Sequence, residues 1–400
     1  MPQGGEYTCP VDHGILDVRY NYDHILHLIS RAQLENDSDH SIWRYRSLLP
    51  ISRGADTSRY LPPLHIGCTP LYTDSLLARK LHLPNLLIKD DTRNPTGSLK
   101  DRASALAVVR AQEEDKKVIA TASTGNAASS LAGIAASVGL PSVIFVPRTT
   151  PAPKLAQIIA YGAHVVCIDG SYDQAYELCE EACHRYGWYN RNTSRNPYLS
   201  EGKKTVSYEI CEQMHWEVPD KVFVPVGDGC VIGAVWKGFK DFHTMGFIAK
   251  LPQIIGVQPE GSNALCRAFH GHCARADTIQ PRTIADSLSV ALPKDDVKAL
   301  AAVRESNGTF VEVSDAKIQE AQLLLAKTTG VFAEPAGSTP LAGLQCLLDA
   351  GAVAANEKVL LLVTGSGLKD TGAFTERIKG LPVISPDIAS FEKTFGSSVY

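Results

Sequence analysis

A lysine in the segment NPTGSLKDR, Asn94–Arg102, has the surroundings of a reactive amine. A proline and a glycine in this segment favour a turn, and the stretch Asp101–Asp115 is rich in helix formers, which places Lys100 at or near the start of a helix. The positive end of the helix dipole disfavours an ammonium ion and lowers the pKa of such a lysine. A lysine amine of lowered pKa is suited to forming a Schiff base with a carbonyl compound. The alternative interpretation is a surface lysine beside Asp101.

A second polar segment, ASTGNAASS, follows an apolar stretch that reads as a strand. Ser123, Thr124, Gly125 and the first amides of the next helix predict a site for an oxyanion such as a substrate α-carboxylate. Asn126 adds a side-chain amide donor. The alternative is an ordinary N-cap before an alanine-rich helix.

A third segment, PVGDGCVIGA, contains glycines that allow the backbone to wrap a phosphate with its N–H groups. The candidate phosphate loop comprises six consecutive residues: Gly227, Asp228, Gly229, Cys230, Val231 and Ile232. Its glycine spacing also resembles a dinucleotide fingerprint, although the acidic residue that should follow is not clear. A tight turn without a ligand is the third interpretation.

A fourth segment, TGSGLKD, ends the apolar run VLLLV near the C-terminus. Thr364 and Ser366 would offer neutral hydroxyls at the end of a buried strand. A hydroxyl facing a pyridine nitrogen leaves that nitrogen unprotonated, whereas an aspartate would keep it charged. The alternative is a pair of turn residues without contact to a ligand.

Strands alternate with helices around these segments. The predicted strands are LLIKD, Lys117–Ala120, PSVIFVP, HVVCI, VFVPVG, Gln253–Glu260 and VLLLVTGSG, and the predicted helices are Tyr22–Gln33, Ala127–Val138, Lys154–Tyr161 and Tyr172–Tyr186. This alternation predicts two α/β domains, each an open, mostly parallel sheet flanked by helices. Continuous valine and isoleucine runs indicate strands buried on both faces. Ligand sites in such folds lie at the carboxyl ends of strands, where every segment above falls.

The predicted domains are an N-terminal arm over residues 1–60, a large domain from 61–104 and 206–400, and a smaller mobile domain over 105–205. The arm begins with a stretch that looks like a degenerate zinc ribbon, in which Cys9 and His13 are the remaining ligand types, so no metal is expected. Cys179 and Cys183, four residues apart, are likewise expected to pack rather than to bind metal. Cys167 and Cys346 lie in apolar stretches, which predicts buried free thiols.

Composition narrows the class of protein. With 400 residues, 44% hydrophobic and 20% charged, and a net charge of −4, the chain has no basic surface that would predict binding to nucleic acid. Its N-terminus lacks the pattern of a signal peptide, and no apolar run approaches the ~20 residues of a membrane span. A cytoplasmic protein without membrane or nucleic-acid partners is expected.

In this order, the four segments resemble those of the fold-type-II pyridoxal-phosphate (PLP) enzymes: a lysine after a Gly-Ser turn, S-T-G-N, a glycine-rich phosphate loop and T-G-x-G-L-K-D. Further similarity covers SIWRYRSLLPI, GCTPLY, NPYLSEGKKT and GVFAEPAGSTPLAG, so that it extends roughly from Ile42 to Asp370. TGSGLKD and SIWRYRSLLPI are typical of the threonine-synthase branch.

The resemblance implies a role for each candidate residue. Lys100 would carry PLP as a Schiff base and shuttle protons, and Asn126 would contact the ring hydroxyl. The loop of residues 227–233 would hold the cofactor phosphate, and Thr364 or Ser366 would face the ring nitrogen. Ser123, Thr124 and Gly125 would seat the carboxylate of an amino-acid substrate. A homodimeric lyase of amino-acid biosynthesis is expected.

The sequence departs from the threonine-synthase pattern at two positions. Asp228 places a carboxylate in the phosphate loop, which is unfavourable unless it points away or pairs with a cation. Leu199 stands where the family carries an arginine that binds the substrate phosphate, and a leucine cannot replace that contact. Three other cations of this region are candidates to replace it: Lys203, Lys204 and Arg195.

Four classes of function therefore stay open. Conversion of O-phosphohomoserine to threonine and phosphate is the first. The second is a relative acting by β-elimination or β-replacement, such as a serine or threonine ammonia-lyase or a cysteate-synthase-like enzyme. The third is a nucleotide-binding oxidoreductase that uses the glycine loop of residues 227–233. The fourth is a regulatory protein that binds PLP without catalysis.

Overall fold

The strands lie in two β-sheets, one of six strands and one of four. The computed structural model describes residues 7–9, 14–52, 55–150, 152–193 and 195–396. The strands of this part are β1 Leu71–Tyr72, β2 Leu86–Asp90, β3 Ile119–Ala122, β4 Ser142–Pro147, β5 His164–Ile168, β6 Tyr189–Asn190, β7 Lys221–Pro225, β8 Gln253–Pro259, β9 Thr309–Val313 and β10 Val359–Val363.

The larger sheet has the order β1-β2-β10-β7-β8-β9, and the smaller has the order β5-β4-β3-β6. Strand β1 pairs antiparallel with β2. The other pairs in both sheets are parallel. The predicted α/β class with mostly parallel sheets is therefore confirmed.

Helices connect the strands and cover the sheets. The α-helices of the described residues are α1 Tyr22–Leu26, α2 Arg31–Glu35, α3 Leu76–Lys80, α4 Lys100–Glu113, α5 Asn126–Ser137, α6 Ala152–Ala160, α7 Tyr172–Tyr186, α8 Tyr198–Lys203, α9 Thr205–Gln213, α10 Cys230–Thr244, α11 Ala264–His270, α12 Asp296–Glu305, α13 Asp315–Thr329, α14 Pro335–Asp349, α15 Thr375–Lys379 and α16 Ile388–Phe395. Short 3-10 helices cover Ile42–Leu48, Ala55–Tyr60, Asp91–Arg93, Glu260–Ser262, Asp286–Leu288, Gly367–Lys369 and Gly372–Phe374.

The chain divides into two compact units, Met1–Lys369 and Asp370–Tyr400. Both sheets belong to the first unit, and the strands of the smaller sheet lie between residues 119 and 190. The second unit contains α15 and α16. The boundaries of the arm, the large domain and the mobile domain stay predictions. None of the described helices has the length and apolarity that a membrane span requires.

Strand burial follows the hydrophobic pattern with one exception. All five residues of β2 and of β10 are buried, as expected for parallel strands covered on both faces. In β5, by contrast, each residue is exposed or half-buried, and Cys167 is exposed. The prediction of a doubly buried strand with a buried thiol was wrong here because β5 is the edge strand of its sheet.

The predicted helix Tyr22–Gln33 is two short helices. Helix α1 ends at Leu26, and α2 begins after Ser30, whose side chain accepts a hydrogen bond from the Gln33 N–H. A serine that caps a new helix interrupts the old one, and the apolar periodicity alone does not reveal this break. The strand predicted at residues 117–120 lies two residues further on, and β1, β6 and β9 were not predicted.

Helix α4 is fixed to the large sheet by a buried network of charges. Arg102 donates to the Asp91 carboxylate over 2.7 and 2.9 Å and to Glu209 over 2.7 Å. Lys89, on β2, donates to the same glutamate over 2.7 Å. All four groups are buried, so that each charge depends on its partners for solvation. The network holds the first turn of α4, where Lys100 lies.

Candidate active site

Lys100 is the first residue of α4, as predicted. The turn before it lies against the segment after β10: the Leu99 N–H donates to the Thr364 carbonyl over 2.9 Å, and the Ser366 N–H donates to the Gly97 carbonyl over 2.9 Å. The first and fourth polar segments are therefore neighbours in space, although they lie far apart in the chain.

The pKa of Lys100 is lowered, and burial is the largest cause. The neighbouring Cys230 thiol opposes the shift, and the cations of Lys203 and Arg191 add to it. The direction agrees with the sequence prediction, but the principal cause differs, because that prediction relied on the helix dipole. Burial and the two cations both favour the neutral amine, which is the nucleophilic form of a lysine.

The candidate phosphate loop connects β7 to α10, as its glycines predict. Gly229 has φ +94°, and a Cβ there would lie 2.8 Å from the Asp295 carbonyl oxygen, so that only glycine fits. Helix α10 begins at Cys230, and the N–H groups of a first helical turn have no partner within the helix. Val231 and Ile232 continue this turn. The loop thus offers backbone donors and a helix N-terminus to an anion.

Asp228, the unexpected carboxylate of this loop, is bound by backbone groups. Its Oδ1 accepts a hydrogen bond from the Lys294 N–H over 2.8 Å, and its carbonyl accepts one from the Asp295 N–H over 3.1 Å. Asp295 is a second buried carboxyl beside it. Burial raises the pKa of Asp295 to about 6, with Lys298 opposing the shift and Asp228 adding to it.

Asn126 begins α5, and its side-chain amide donates to the Glu334 carboxylate over 2.8 Å. The Glu334 N–H donates in turn to the Gly365 carbonyl over 2.9 Å. A Cβ at Gly365 would overlap the Glu334 carboxylate and lie 3.0 Å from the Asn126 amide nitrogen. The second and fourth polar segments therefore meet through a glutamate that precedes α14.

The residues before Asn126 form an open loop. Ser123, Thr124 and Gly125 are each half-buried, and a Cβ at Gly125 would meet nothing within 4 Å. The Gly125 N–H donates to the Ser123 hydroxyl over 3.3 Å. This loop has the accessible polar groups that an incoming carboxylate requires.

Thr364 and Ser366 follow β10 and are half-buried, close to the turn that carries Lys100. The Ser366 hydroxyl accepts a hydrogen bond from the Leu368 N–H over 3.3 Å. Lys369 reaches two helices beside the smaller sheet, where its Nζ donates to Ser129 of α5 over 2.7 Å and to Gln157 of α6 over 2.8 Å. The TGSGLK segment thus contacts α5 and α6 as well as the lysine turn.

Leu199 is buried in an apolar cluster that includes Trp43, Leu106 and Tyr189. Position 199 therefore provides packing and no cation. Among the three cations considered as replacements, Lys204 forms ion pairs of 2.7 Å with Glu201 and Asp241, and Arg195 lies 3.4 Å from Glu180. Lys203 is 1% exposed, and its Nζ has no hydrogen-bond partner in the described residues.

Four further residues of the site were not singled out from the sequence: Ser98, Arg191, Asn192 and Glu334. Ser98 lies in NPTGSLKDR and Glu334 in GVFAEPAGSTPLAG, two segments that resemble the family, so the sequence carries a signal for both residues. Arg191 and Asn192 follow β6, a strand of two residues that no hydrophobic pattern could indicate. Their position became apparent only from the pairing of β6 with β3.

The cysteines form no disulfide in the part of the chain that the structure describes. Cys179 and Cys183 are buried on α7, and Cys346 is half-buried rather than buried. Groups of three or more potential metal ligands are not found among the described residues. His13, one of the two residues of the degenerate ribbon, lies outside them.

Comparison with known proteins places this arrangement in a family. Residues 63–365 match the model of the family "Pyridoxal-phosphate dependent enzyme". A threonine synthase of Methanocaldococcus jannaschii is 39% identical over 92% of this chain and 89% of its own length. A threonine synthase of Methanosarcina acetivorans is 37% identical over 98% of this chain and 95% of its own length.

Solved structures show the same fold. A threonine deaminase isoform of Solanum lycopersicum superposes with a TM-score of 0.68, at 23% identity, over 86% of this chain and 95% of its own. A maize serine racemase also superposes with a TM-score of 0.68, at 24% identity, over 81% of this chain and 95% of its own. At these identities the likeness concerns the fold alone.

The residues present fit pyridoxal phosphate. The site combines a lysine of lowered pKa, a glycine loop at a helix N-terminus and neutral hydroxyls at the end of β10. Ser98, between Gly97 and the lysine turn, has a fully buried hydroxyl without a hydrogen-bond partner in the described part. A buried hydroxyl without a partner beside these groups indicates that a bound ligand supplies its hydrogen bond. By sequence and by site, the chain belongs to the threonine-synthase branch of the pyridoxal-phosphate-dependent enzyme family.

Proposed function

We propose that this PLP-dependent lyase converts O-phosphohomoserine to threonine and phosphate. The observation that carries the proposal is the similarity to threonine synthases over 92–98% of the chain, combined with a site in which the first and second polar segments both contact the fourth and Cys230 of the third acts on the pKa of Lys100. The oxidoreductase alternative has no such support, because the glycine loop lies beside Lys100 in a PLP-enzyme fold.

Each part of the site has a proposed role in holding the cofactor. Lys100 would bind its carbonyl carbon through Nζ, and residues 227–232 would bind its phosphate through backbone N–H groups at the start of α10. Asn126 would donate to the ring hydroxyl. Thr364 or Ser366 would accept or donate at the ring nitrogen without a formal charge.

The substrate would be oriented by the loop after β3. Ser123, Thr124 and Gly125 would bind its α-carboxylate with hydroxyl and N–H donors. Pyridoxal phosphate, when bound, supplies an electron sink that acidifies the α-carbon of the substrate. Lys100 Nζ would then accept the α-proton and return a proton later, which its lowered pKa favours.

A second candidate is a relative that acts by β-elimination or β-replacement. The observation that favours it is the burial of Leu199 in an apolar cluster, because that position cannot supply the phosphate contact found in the family pattern. The binding of Asp228 by backbone groups removes one objection to threonine synthesis, since its carboxylate has partners other than the cofactor phosphate.

A panel of substrates separates the two candidates. O-phosphohomoserine, O-phosphoserine, serine, threonine and O-acetylserine would each be incubated with the holoenzyme and followed for threonine, keto acid and released phosphate. We expect threonine and phosphate from O-phosphohomoserine alone. Keto acid from serine or threonine, with O-phosphohomoserine inert, would establish the lyase candidate instead.

We further infer a cytoplasmic homodimer. The family resemblance and the acidic, ordinary globular composition support this inference. Sedimentation of the purified holoenzyme tests the dimer: a mass near twice 43.2 kDa is expected, and a stable monomer at micromolar concentration would contradict it.

A further inference from the structure

Arg191 is a buried cation without an acidic partner. It is 0% exposed, and its guanidinium contacts hydroxyls: Ser104 Oγ over 3.3 Å and Thr193 Oγ1 over 3.3 Å. Within the described residues it forms no ion pair. Burial lowers its pKa to about 10. A fully buried arginine whose hydrogen-bond partners are neutral hydroxyls is costly for a folded protein and requires an explanation.

Lys203 is a second cation of this kind. Its Nζ is buried and has no hydrogen-bond partner in the described part of the chain. The next residue, Lys204, has two carboxylate partners at 2.7 Å, so the absence of a partner is specific to Lys203 rather than general to α8. Unsatisfied buried ammonium groups are rare in native proteins and indicate an ion or ligand that completes them.

Both cations lie beside the first two turns of α4. Ser104, which binds Arg191, is four residues after Lys100 and therefore on the same face of that helix. Gly202, which precedes Lys203, approaches the Arg102 carbonyl so closely that no Cβ would fit. Arg191 and Lys203 are both among the charges that act on Lys100.

A third donor lies next to Arg191. The Asn192 side chain accepts a hydrogen bond from the Ala122 N–H over 2.8 Å, at the end of β3, while its own Nδ2 is buried without a partner in the described residues. This location is directly before Ser123, where the substrate carboxylate is proposed to bind. Asn192 Nδ2 is thus an unpartnered donor beside the end of β3, the strand that leads into the substrate loop.

We propose that Arg191 and Lys203 form the subsite that binds the phosphate group of the substrate, in place of the arginine missing at Leu199. Two cations and an amide donor match a phosphomonoester dianion in charge and in hydrogen-bonding capacity. The proposal rests on the proposed function, since it names residues that select a phosphorylated amino acid at the same site. It also makes these residues determinants of substrate specificity.

Inorganic phosphate is the probe that tests this subsite apart from catalysis. Its binding to the cofactor-loaded protein would be measured by calorimetry for the wild type, Arg191→Met and Lys203→Met, with Lys203→Gln as a second variant. Each substitution should weaken phosphate binding about 10- to 100-fold and raise KM for O-phosphohomoserine to a similar extent. The amount of bound cofactor should not change.

The matched control is Arg148→Met, which removes a 77% exposed arginine directly after β4. It should leave phosphate affinity and KM unchanged. Folding provides a further readout: removal of an uncompensated buried charge should not lower the ligand-free stability, whereas a structural arginine or lysine would lower it.

Three results would overturn the proposal: a wild-type holoenzyme that does not bind phosphate, unaltered affinity in both variants, or loss of cofactor in place of loss of phosphate binding. The last result would assign the two cations to the cofactor phosphate. If the wild type makes no threonine but its phosphate binding requires Arg191 and Lys203, the proposed function fails and the subsite stands. If both variants form threonine with an unaltered KM, the proposed subsite is refuted while the proposed function is retained.

Discussion

The side-chain amide of Asn126 donates a hydrogen bond of 2.8 Å to the Glu334 carboxylate, although 208 positions separate the two residues. The pair joins the start of α5 to the segment before α14 and lies against Gly365. A single polar contact therefore brings together three parts of the chain that surround the proposed cofactor site. Glu334 fixes the amide, so that the position of Asn126 depends on it.

Asn126→Asp should reduce cofactor affinity about tenfold or more. The change places a carboxylate against the buried Glu334 carboxylate and removes an amide donor from the proposed ring contact. Absorbance titration of the apoenzyme with pyridoxal phosphate measures this affinity. Asn263→Asp is the control, because Asn263 donates to Glu312 over 2.7 Å in an exposed pair of the same kind. Equal cofactor affinity in Asn126→Asp and the wild type would contradict the assignment.

Glu209→Gln should lower the free energy of unfolding by about 3–5 kcal/mol, because it leaves Lys89 and Arg102 buried with too little negative charge. Burial alone would raise the pKa of Glu209, but Arg102 and Lys89 outweigh it and hold the pKa well below its usual range. The stabilisation is therefore present above the unfolded pKa of about 4.5 and is lost as the pH falls towards the folded value.

Urea denaturation at pH 7 measures the loss in Glu209→Gln. The control is Glu305→Gln, whose side chain is 48% exposed and pairs with Lys240 at the surface. The Glu305→Gln substitution should lower the free energy of unfolding by less than about 1 kcal/mol. Similar losses in the two variants would show that the buried network contributes no more than a surface pair.

Asp295→Asn should stabilise the protein at alkaline pH. The folded-state pKa of about 6 lies above the ordinary 3.8, so the folded protein binds the proton more tightly than the unfolded chain. The carboxyl therefore destabilises the fold progressively as the pH rises from about 4 through 6, by an amount on the order of 3 kcal/mol. Asparagine removes the charge and still suits the position before α12.

Thermal unfolding at pH 4.5 and pH 8 tests the Asp295 prediction. The variant should gain stability at pH 8 and change little at pH 4.5, whereas Asp23→Asn, on an exposed turn of α1, should change little at both. A loss of stability at pH 8 would mean that the Asp295 carboxylate makes a favourable contact that outweighs its burial.

Residues 105–205 are predicted to form a domain that closes over the bound substrate. Two contacts of the described structure join this part to the segment after β8: Lys154 lies 2.6 Å from the Asp286 carboxylate, and Lys294 Nζ lies 3.7 Å from the centre of the Tyr176 ring. We expect a bound substrate amino acid to slow limited proteolysis within 105–205 and Lys294→Ala to weaken that protection. Lys327→Ala, on α13, is the control. Cleavage that no ligand affects would count against closure.

The fold could be predicted from the sequence because its strands are nearly continuous apolar runs. VLLLV and LLIKD gave strands at their observed positions, and each polar segment lay at the end of one, where parallel sheets place their ligands. The two-residue strands β1 and β6 could not be predicted, because two residues carry no hydrophobic periodicity. The edge position of β5 depends on the order of the strands, which the sequence does not contain.

The site was predictable to the extent that its residues occur in local segments. Lys100, Asn126 and the glycine loop stand in recognisable turns. Two features could not be predicted: Lys203 has no hydrogen-bond partner and Arg191 has no ion pair among the described residues. Both depend on which side chains surround a residue in three dimensions. Likewise, Leu199 was recognised as a departure, but only the structure showed that its side chain is committed to apolar packing.

The most direct test of the account is to locate the lysine that binds the cofactor. The holoenzyme would be reduced with borohydride and digested, and the pyridoxyl-modified peptide would be sequenced by mass spectrometry. We expect the modification on Lys100, and Lys100→Ala should be colourless and unlabelled, while Lys203→Met should keep both colour and label. A label on Lys203, the other buried lysine of the site, or yellow colour that survives unchanged in Lys100→Ala, would contradict the central claim.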